Sequence, residues 1–231
     1  MPAEPSIWTL PPPPPRQRAL GRDEIVAAAI ALADEGGMAA VTMKAVATSL
    51  GPYTAMALYR YVHSREGLTD LMLDAVVAEV PVPVSPGADW RTDLHALALA
   101  TRRMLGRHPW CALLTHTRPP LGPHLMRRLE FTLAVLTTRG ASLADAMAYA
   151  ALLDRHVLGS GAQEAEEARH EPTGAAFTAA LASARDLAAA DGTVPLLTEW
   201  LTHPSGPPRD AQFELGLGFL LDGIESRLPA R

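Results

Sequence analysis

Apolar residues recur along this chain with a helical period, first in short segments and then in long ones. Ile25, Ala29, Leu32 and Ala33 share one face of a segment that opens at Asp23 and is stopped by Gly36-Gly37. Thr42 is a suitable N-cap for a short helix in which Met43, Val46, Ala47 and Leu50 fall at i, i+3, i+4 and i+7. Gly51-Pro52 breaks it. A third helix is expected over 54–62, with Ala55, Leu58, Tyr59 and Val62 turned inward. Ser64 can cap a fourth that carries Leu68, Leu71, Met72 and Ala75, and Pro81, Pro83 and Pro86 end the run. Helices are predicted beyond these prolines at 89–107, 109–117, 122–139, 142–158, 173–190, 193–202 and 208–227. The glycine-bounded acidic stretch Gly159 to Gly174 reads as a loose loop. No period-two alternation with hairpin turns occurs, so the expected fold is all-α, with segment boundaries at 1–21, 22–80 and 88–231.

Composition narrows this further. The chain has 231 residues and a formal net charge of -5, which neither requires nor forbids nucleic acid, because a small basic face can sit on an acidic body. Cys111 is the single cysteine, which excludes an internal disulfide and a cysteine zinc cluster and fits a reducing cytoplasm. No apolar run reaches the roughly 18 residues of a membrane span, and the start lacks a signal-peptide pattern, so a cytoplasmic protein is expected. Met1 to Pro15 is a proline-rich stretch expected to be extended, and one that a partner could bind. Arg16, Arg18 and Arg22 after it form either a solvated linker or a flexible basic arm for phosphate.

The short helix pair is where chemistry concentrates. Two short helices joined by a tight turn and braced by a longer first helix make a three-helix helix-turn-helix unit, which lays its second helix in the DNA major groove. No aspartate or glutamate lies between Gly36 and Arg65, while Lys44, Arg60 and Arg65 do. Tyr59 and Tyr61 can donate hydroxyl hydrogen bonds to phosphate, and helix N-termini add partial positive charge. Tyr59 also fits the inward stripe, and Arg60 could be an ordinary solvated charge.

The stretch "IVAAAIALADEGGMAAVTMKAVATSLG" followed by "LYRYVHSREGLTDLML" resembles the DNA-binding part of the tetracycline-repressor (TetR) family. It has the family's glycine-stopped first helix, its Thr-capped second helix ending "AxxLG", its aromatic recognition helix and its polar cap before the fourth. "LGPYTAMALY" is one residue longer than the usual spacing, which leaves the base contacts of Pro52 to Ala55 open. The resemblance implies that Thr42 and Lys44 meet backbone or a base edge, and that Thr54, Ala55 and Met56 face the groove. It implies further that Tyr59, Arg60 and Tyr61 meet phosphate, sugar or base, and that Ser64 and Arg65 anchor phosphate.

"RHPWCALLTHTRPPLGPHLMRRLE" and "FELGLGFLLDGIESRL" are similar to the C-terminal part of the same family. That implies a larger helical domain for effector binding and dimerisation, a homodimeric repressor on a double-stranded palindromic operator, and a small-molecule effector. The apolar stripe Phe213, Leu217, Leu220, Leu221 and Ile224, with Leu143, Met147 and Ala150, is the expected dimer interface, intramolecular packing being the alternative. Ala151, Asp154 and Val157 continue its second helix. Candidate pocket residues are His95, Leu99, Met104, Trp110, Leu114, His116, Tyr149, Leu153, His156 and Phe177, with His124 and Trp200 beside them. His116 and His124 are poorly spaced for a shared metal, and neither a metal nor a cofactor is expected. A helical enzyme is disfavoured by the absence of a Gly-rich phosphate loop, a GxSxG elbow or an HExxH pair. A protein-interaction module, in which the helix pair only packs, is the other alternative.

Overall fold

Arg22–Gly36 forms α1, because the Glu24 side chain reaches back to its start, the Gly21 N–H donating to Glu24 Oε2 at 2.8 Å, and Gly37 at φ 69° stops the helix. This computed structural model describes residues 10, 20–115, 122–170 and 174–229, with only the helical backbone given at His170 and Gly174–Phe177. The Pro-rich start apart from Leu10, and Arg16 and Arg18, lie outside them. Arg22 is no free arm: it opens α1, and its Nε donates to the Tyr61 carbonyl at 3.0 Å.

Thr42 caps α2 (Met43–Ser49), Thr54 caps α3 (Ala55–Val62) and Ser64 caps α4 (Arg65–Val77), each side-chain oxygen accepting a backbone N–H three residues on. The turn between α2 and α3 absorbs the Gly51-Pro52-Tyr53 sequence, with Gly51 at φ 108° and the Tyr53 N–H bonded to the Gly51 carbonyl at 2.8 Å. Ile25, Ala29, Val46, Leu58, Val62, Leu68 and Met72 are buried together and hold α1–α4 as one head.

His63 links α3 to α4 with φ 62° and ψ -46°, and the Ser64 N–H reaches back to the Val62 carbonyl at 2.7 Å. This is a γ-turn in the region that a side chain resists. The His63→Gly variant is therefore expected to raise the unfolding free energy by about 1 kcal/mol, read from its urea midpoint.

The body begins with α5 (Trp90–Arg107), capped by Asp89, then α6 (Pro109–Thr115), α7 (Pro123–Thr138) and α8 (Leu143–His170). α9 (Gly174–Asp191), α10 (Pro195–Thr202) and α11 (Arg209–Glu225) complete it. α8 is the central helix, against which α5, α6, α7 and α11 all pack. α9 and α10 pack on each other and leave Leu187, Leu196, Leu197 and Trp200 exposed. No strand occurs among the described residues.

The loop expected from Gly159 is instead the second half of α8, a helix of 28 residues. Gly161 is there for proximity rather than flexibility: a Cβ on it would lie 2.7 Å from Leu105 Cδ1, so glycine lets α8 press on α5. Downstream, Arg102 Nη2 donates to Glu164 Oε1 at 2.7 Å, Arg209 pairs with Glu167, and Ala165 is buried. The acidic run is therefore anchored to α5 and α11 as helix.

Candidate nucleic-acid interface and effector cavity

The second and third helices present one exposed face. On it, Met56 is 76% exposed, and Lys44, Tyr59 and Arg60 are also in solvent, as is Arg65 at the start of α4. Thr54, Met56, Ala57, Tyr59 and Arg60 border a shallow hollow there. Thr42, Thr54 and Ser64 use their hydroxyl oxygens to accept the N–H groups of Ala45, Ala57 and Gly67, at 3.0, 3.3 and 2.9 Å. Each hydroxyl proton stays free to be donated to an anion, beside the positive end of its helix.

Tyr59 is 37% exposed, so of its two expected roles the surface one fits better than lining the core, where Leu58 and Val62 of α3 are fully buried. Ala55 and Tyr61 are half-buried against that core and offer only part of their surface. Tyr53, exposed in the turn, was not singled out from the sequence, although a tyrosine between Gly-Pro and a cap residue is the signal that marks it.

Polar links couple this head to the body. Asp74 on α4 is only 3% exposed, and its carboxylate accepts the N–H of His124 at 2.9 Å, the N–H of Leu125 at 3.4 Å and His124 Nδ1 at 2.6 Å. An acid of α4 thus caps the N-terminus of α7. A second link forms around His108, where α5 meets α6. Its Nδ1 faces Asp34 Oδ1 at 2.8 Å and its Nε2 faces Glu79 Oε1 at 3.1 Å. Trp110 Nε1 donates to the same Asp34 oxygen at 2.7 Å. Burial alone would raise the Glu79 carboxyl, but hydrogen bonds from Arg107 and His108 and their charges outweigh it and hold it below its usual range. Contact between head and body runs most through α4 on α7, with lighter contacts of α1 on α6 and of α4 on α5.

Beside the end of α4 the body holds a cavity of about 170 Å³. Val77 and Val80 wall its head side, and Thr101, Met104 and Leu105 of α5 wall another. Cys111 and Thr115 of α6, Leu125 and Arg128 of α7, and Asp154 and Leu158 of α8 close it. Burial pushes the Cys111 thiol up to about 12, so it lines the wall as a neutral group. Arg128 Nη2 donates to Asp154 Oδ1 at 2.5 Å.

Of the candidate pocket residues, Met104 is placed on this cavity. Leu153 borders a much smaller void between α5, α7 and α8. His156 stacks on Phe213 with ring centroids 4.8 Å apart and borders an open cleft of α8 and α11. His95 pairs on the surface with Glu214 at 2.7 Å, and Trp110 and His124 are committed to Asp34 and Asp74. Leu99, Leu114 and Tyr149 are half-buried in the core, and Trp200 is exposed. His116 and the Phe177 side chain lie outside the described residues. Arg128 and Asp154 were missed, the second having been assigned to the dimer face; Arg128 sits in phase with Thr132 and Val135 on a buried stripe, which is the signal.

The expected interface residues divide in two. Ala150, Val157, Phe213, Leu217, Leu221 and Ile224 are buried within the protomer, because α8 and α11 pack these sides against each other and the core. Leu220 is half-buried. Leu143 and Met147 are exposed, joined by Leu152 on α8 and by Leu215 and Phe219 on α11, the last 67% exposed.

A family model described as "Tetracyclin repressor-like, C-terminal domain" matches residues 82–228. The chain belongs to the tetracycline-repressor family of transcriptional regulators. An HTH-type transcriptional regulator of Saccharopolyspora erythraea is 34% identical over 220 residues, which span 95% of this chain and 91% of that relative. The HTH-type transcriptional repressor DrrR1 of Streptomyces coeruleorubidus is 34% identical over 209 residues, 88% of this chain and 76% of its own. Among solved structures, the TetR family protein ActR of Streptomyces coelicolor in complex with actinorhodin superposes with a TM-score of 0.78 at 28% identity, covering 90% of this chain and 98% of that one. The ligand-free form of ActR gives 0.77 at 27% identity, covering 90% and 96%. The all-α TetR-family fold expected from sequence is thus the one observed. Among the described residues no helix is long and apolar enough to cross a membrane, and no three metal-binding side chains converge.

Proposed function

We propose that this chain acts as a homodimeric repressor that holds a palindromic operator and lets go when a small molecule fills the cavity beside α4. The observation that carries the reading is the acid-free exposed face of α2 and α3. Lys44 and Arg60 are its cations for phosphate or guanine, and Arg65 with the Ser64 and Thr42 hydroxyls anchors the backbone. Thr54 and Met56 face the groove, and Tyr59 and Tyr53 reach sugar or phosphate at the rim. Two such heads on a twofold axis suit half-sites about 34–36 Å apart. A dimer is supported by the exposed apolar pairs Leu143 and Met147 on α8 and Leu215 and Phe219 on α11, each pair one turn apart and largely open in a single protomer. ActR, similar in fold, is named with a bound small molecule, and DrrR1 is named a repressor.

Fluorescence anisotropy on the DNA upstream of the chain's own gene tests this. Wild type is expected to bind with a steep salt dependence. Lys44→Ala and Arg60→Ala are each expected to lower the slope of log K against log salt by about 1 and to weaken binding. Unchanged slopes in both variants would remove this face from the interface.

A further inference from the structure

Resting on the reading of the cavity as an effector site, we propose that it takes a small, mostly apolar organic anion, a carboxylic acid on a frame of one or two rings, with Arg128 as counter-ion. The walls Val77, Val80, Met104, Leu105, Leu125 and Leu158 offer only burial. Thr101 Oγ1 donates to the Leu97 carbonyl at 2.8 Å, and Thr115 Oγ1 to the Ala112 carbonyl at 3.0 Å, so neither hydroxyl proton is free for a ligand. Charge recognition is left to Arg128 and Asp154.

These two are not equivalent. Arg128 is 8% exposed, and its guanidinium offers five N–H donors, of which Asp154 engages one. The Asp154 side chain is 34% exposed. Asp154 can turn to water and leave; the guanidinium cannot. An incoming carboxylate can replace the single contact with a paired, fork-like one. A cation on Asp154 would stand against the fixed guanidinium, and a neutral ligand would gain burial alone. An engineered apolar cavity of about 150 Å³ holds benzene, so the cavity seats one ring, and its open side leaves room for a second. Val77 and Val80 make the same cavity abut the end of α4, so a molecule held by Arg128 presses on the helix that carries the head.

The test is calorimetry on the full chain with three probes of matched shape: 1-naphthoate, 1-naphthamide and 1-naphthylmethylamine. Naphthoate is expected to bind at least about ten-fold tighter than the amide, and the amine weakest. Asp154→Asn keeps the shape while weakening the competing acceptor, and should tighten naphthoate and leave the amide unchanged. Arg128→Gln should erase the preference between acid and amide. An amide bound as well as the acid, or naphthoate weakened by Asp154→Asn, overturns the anion assignment and leaves a ligand cavity standing. Binding of none of the probes overturns the assignment and counts against the cavity as a site. Preferential naphthoate binding that leaves the operator complex intact keeps the anion site and retires the effector reading.

Discussion

Phe219→Asp is expected to run as a monomer in light scattering and to lose operator affinity by roughly 10²–10⁴-fold. The magnitude follows from linkage: a second head held near its half-site binds at an effective concentration set by the dimer, and that gain disappears with the interface. Phe219 sits in the open on α11, with Leu215 one turn before it. A carboxylate there costs the protomer little and costs a desolvated interface much. Leu217→Asp supplies the contrast. Leu217 is fully buried inside the protomer, so this variant should lose helical circular dichroism rather than separate into folded monomers. A folded Phe219→Asp dimer with intact DNA binding would place the twofold contact elsewhere.

Gly122→Ala is expected to cost about 2–4 kcal/mol of stability and to alter DNA binding from outside the DNA face. Gly122 has an extended backbone that any residue adopts, so the objection is purely spatial. A Cβ there would lie well inside the carboxylate of Asp74. Either Asp74 gives up the N-terminus of α7 or α4 moves away from it. Overpacking costs about 1–3 kcal/mol, and loss of a cap about 1 more. Because α4 carries Arg65 and the junction to the recognition helix, a displaced α4 changes the pitch of the head. Urea denaturation and operator anisotropy report the two effects. Asp74→Ala placed in the Gly122→Ala background removes the clash with the carboxylate and leaves only the approach of the Asp74 Cβ at 2.6 Å, so the double variant should cost less than the sum of the two single variants. Strict additivity would show that the two residues do not act on each other.

Much of the head was legible locally. Thr42 and Ser64 are cap residues whose role depends on the three residues that follow them, and α2 and α4 start where those caps fall; Thr54, expected inside α3, caps it instead. The apolar periods of α1 and α2 are determined in the same way. The acid-free stretch that covers α2 and α3 is a property of composition. Tyr59 was misjudged as inward because a helical stripe is wider than the space beneath it. Leu58 and Val62 occupy the centre of that space, with Ala55 and Tyr61 half-buried beside them, and only the packing of α1 and α4 decides this.

The body was legible as helices but not as a site. Gly159-Ser160-Gly161 has the local character of a breaker, and a single chain of residues cannot reveal that Leu105 lies across from Gly161 and requires its missing Cβ. Phe213, Leu217, Leu221 and Ile224 form a true apolar stripe; whether a stripe covers its own protomer or a partner depends on what the fold places opposite. The same holds for charge: Arg128 and Asp74 look like surface residues until α8 and α7 close over them. The sequence by itself determined the four helices of the head, the caps of α2 and α4, the family and the acid-free stretch, all of which depend on neighbours within a turn or two. The tertiary structure alone decided which apolar faces remain open, where the cavity lies and how α4 is held to α7. Those rest on contacts between residues far apart in sequence, such as Arg128 with Asp154, 26 positions on, and Asp74 with His124, 50 positions on, set by the packing of whole helices.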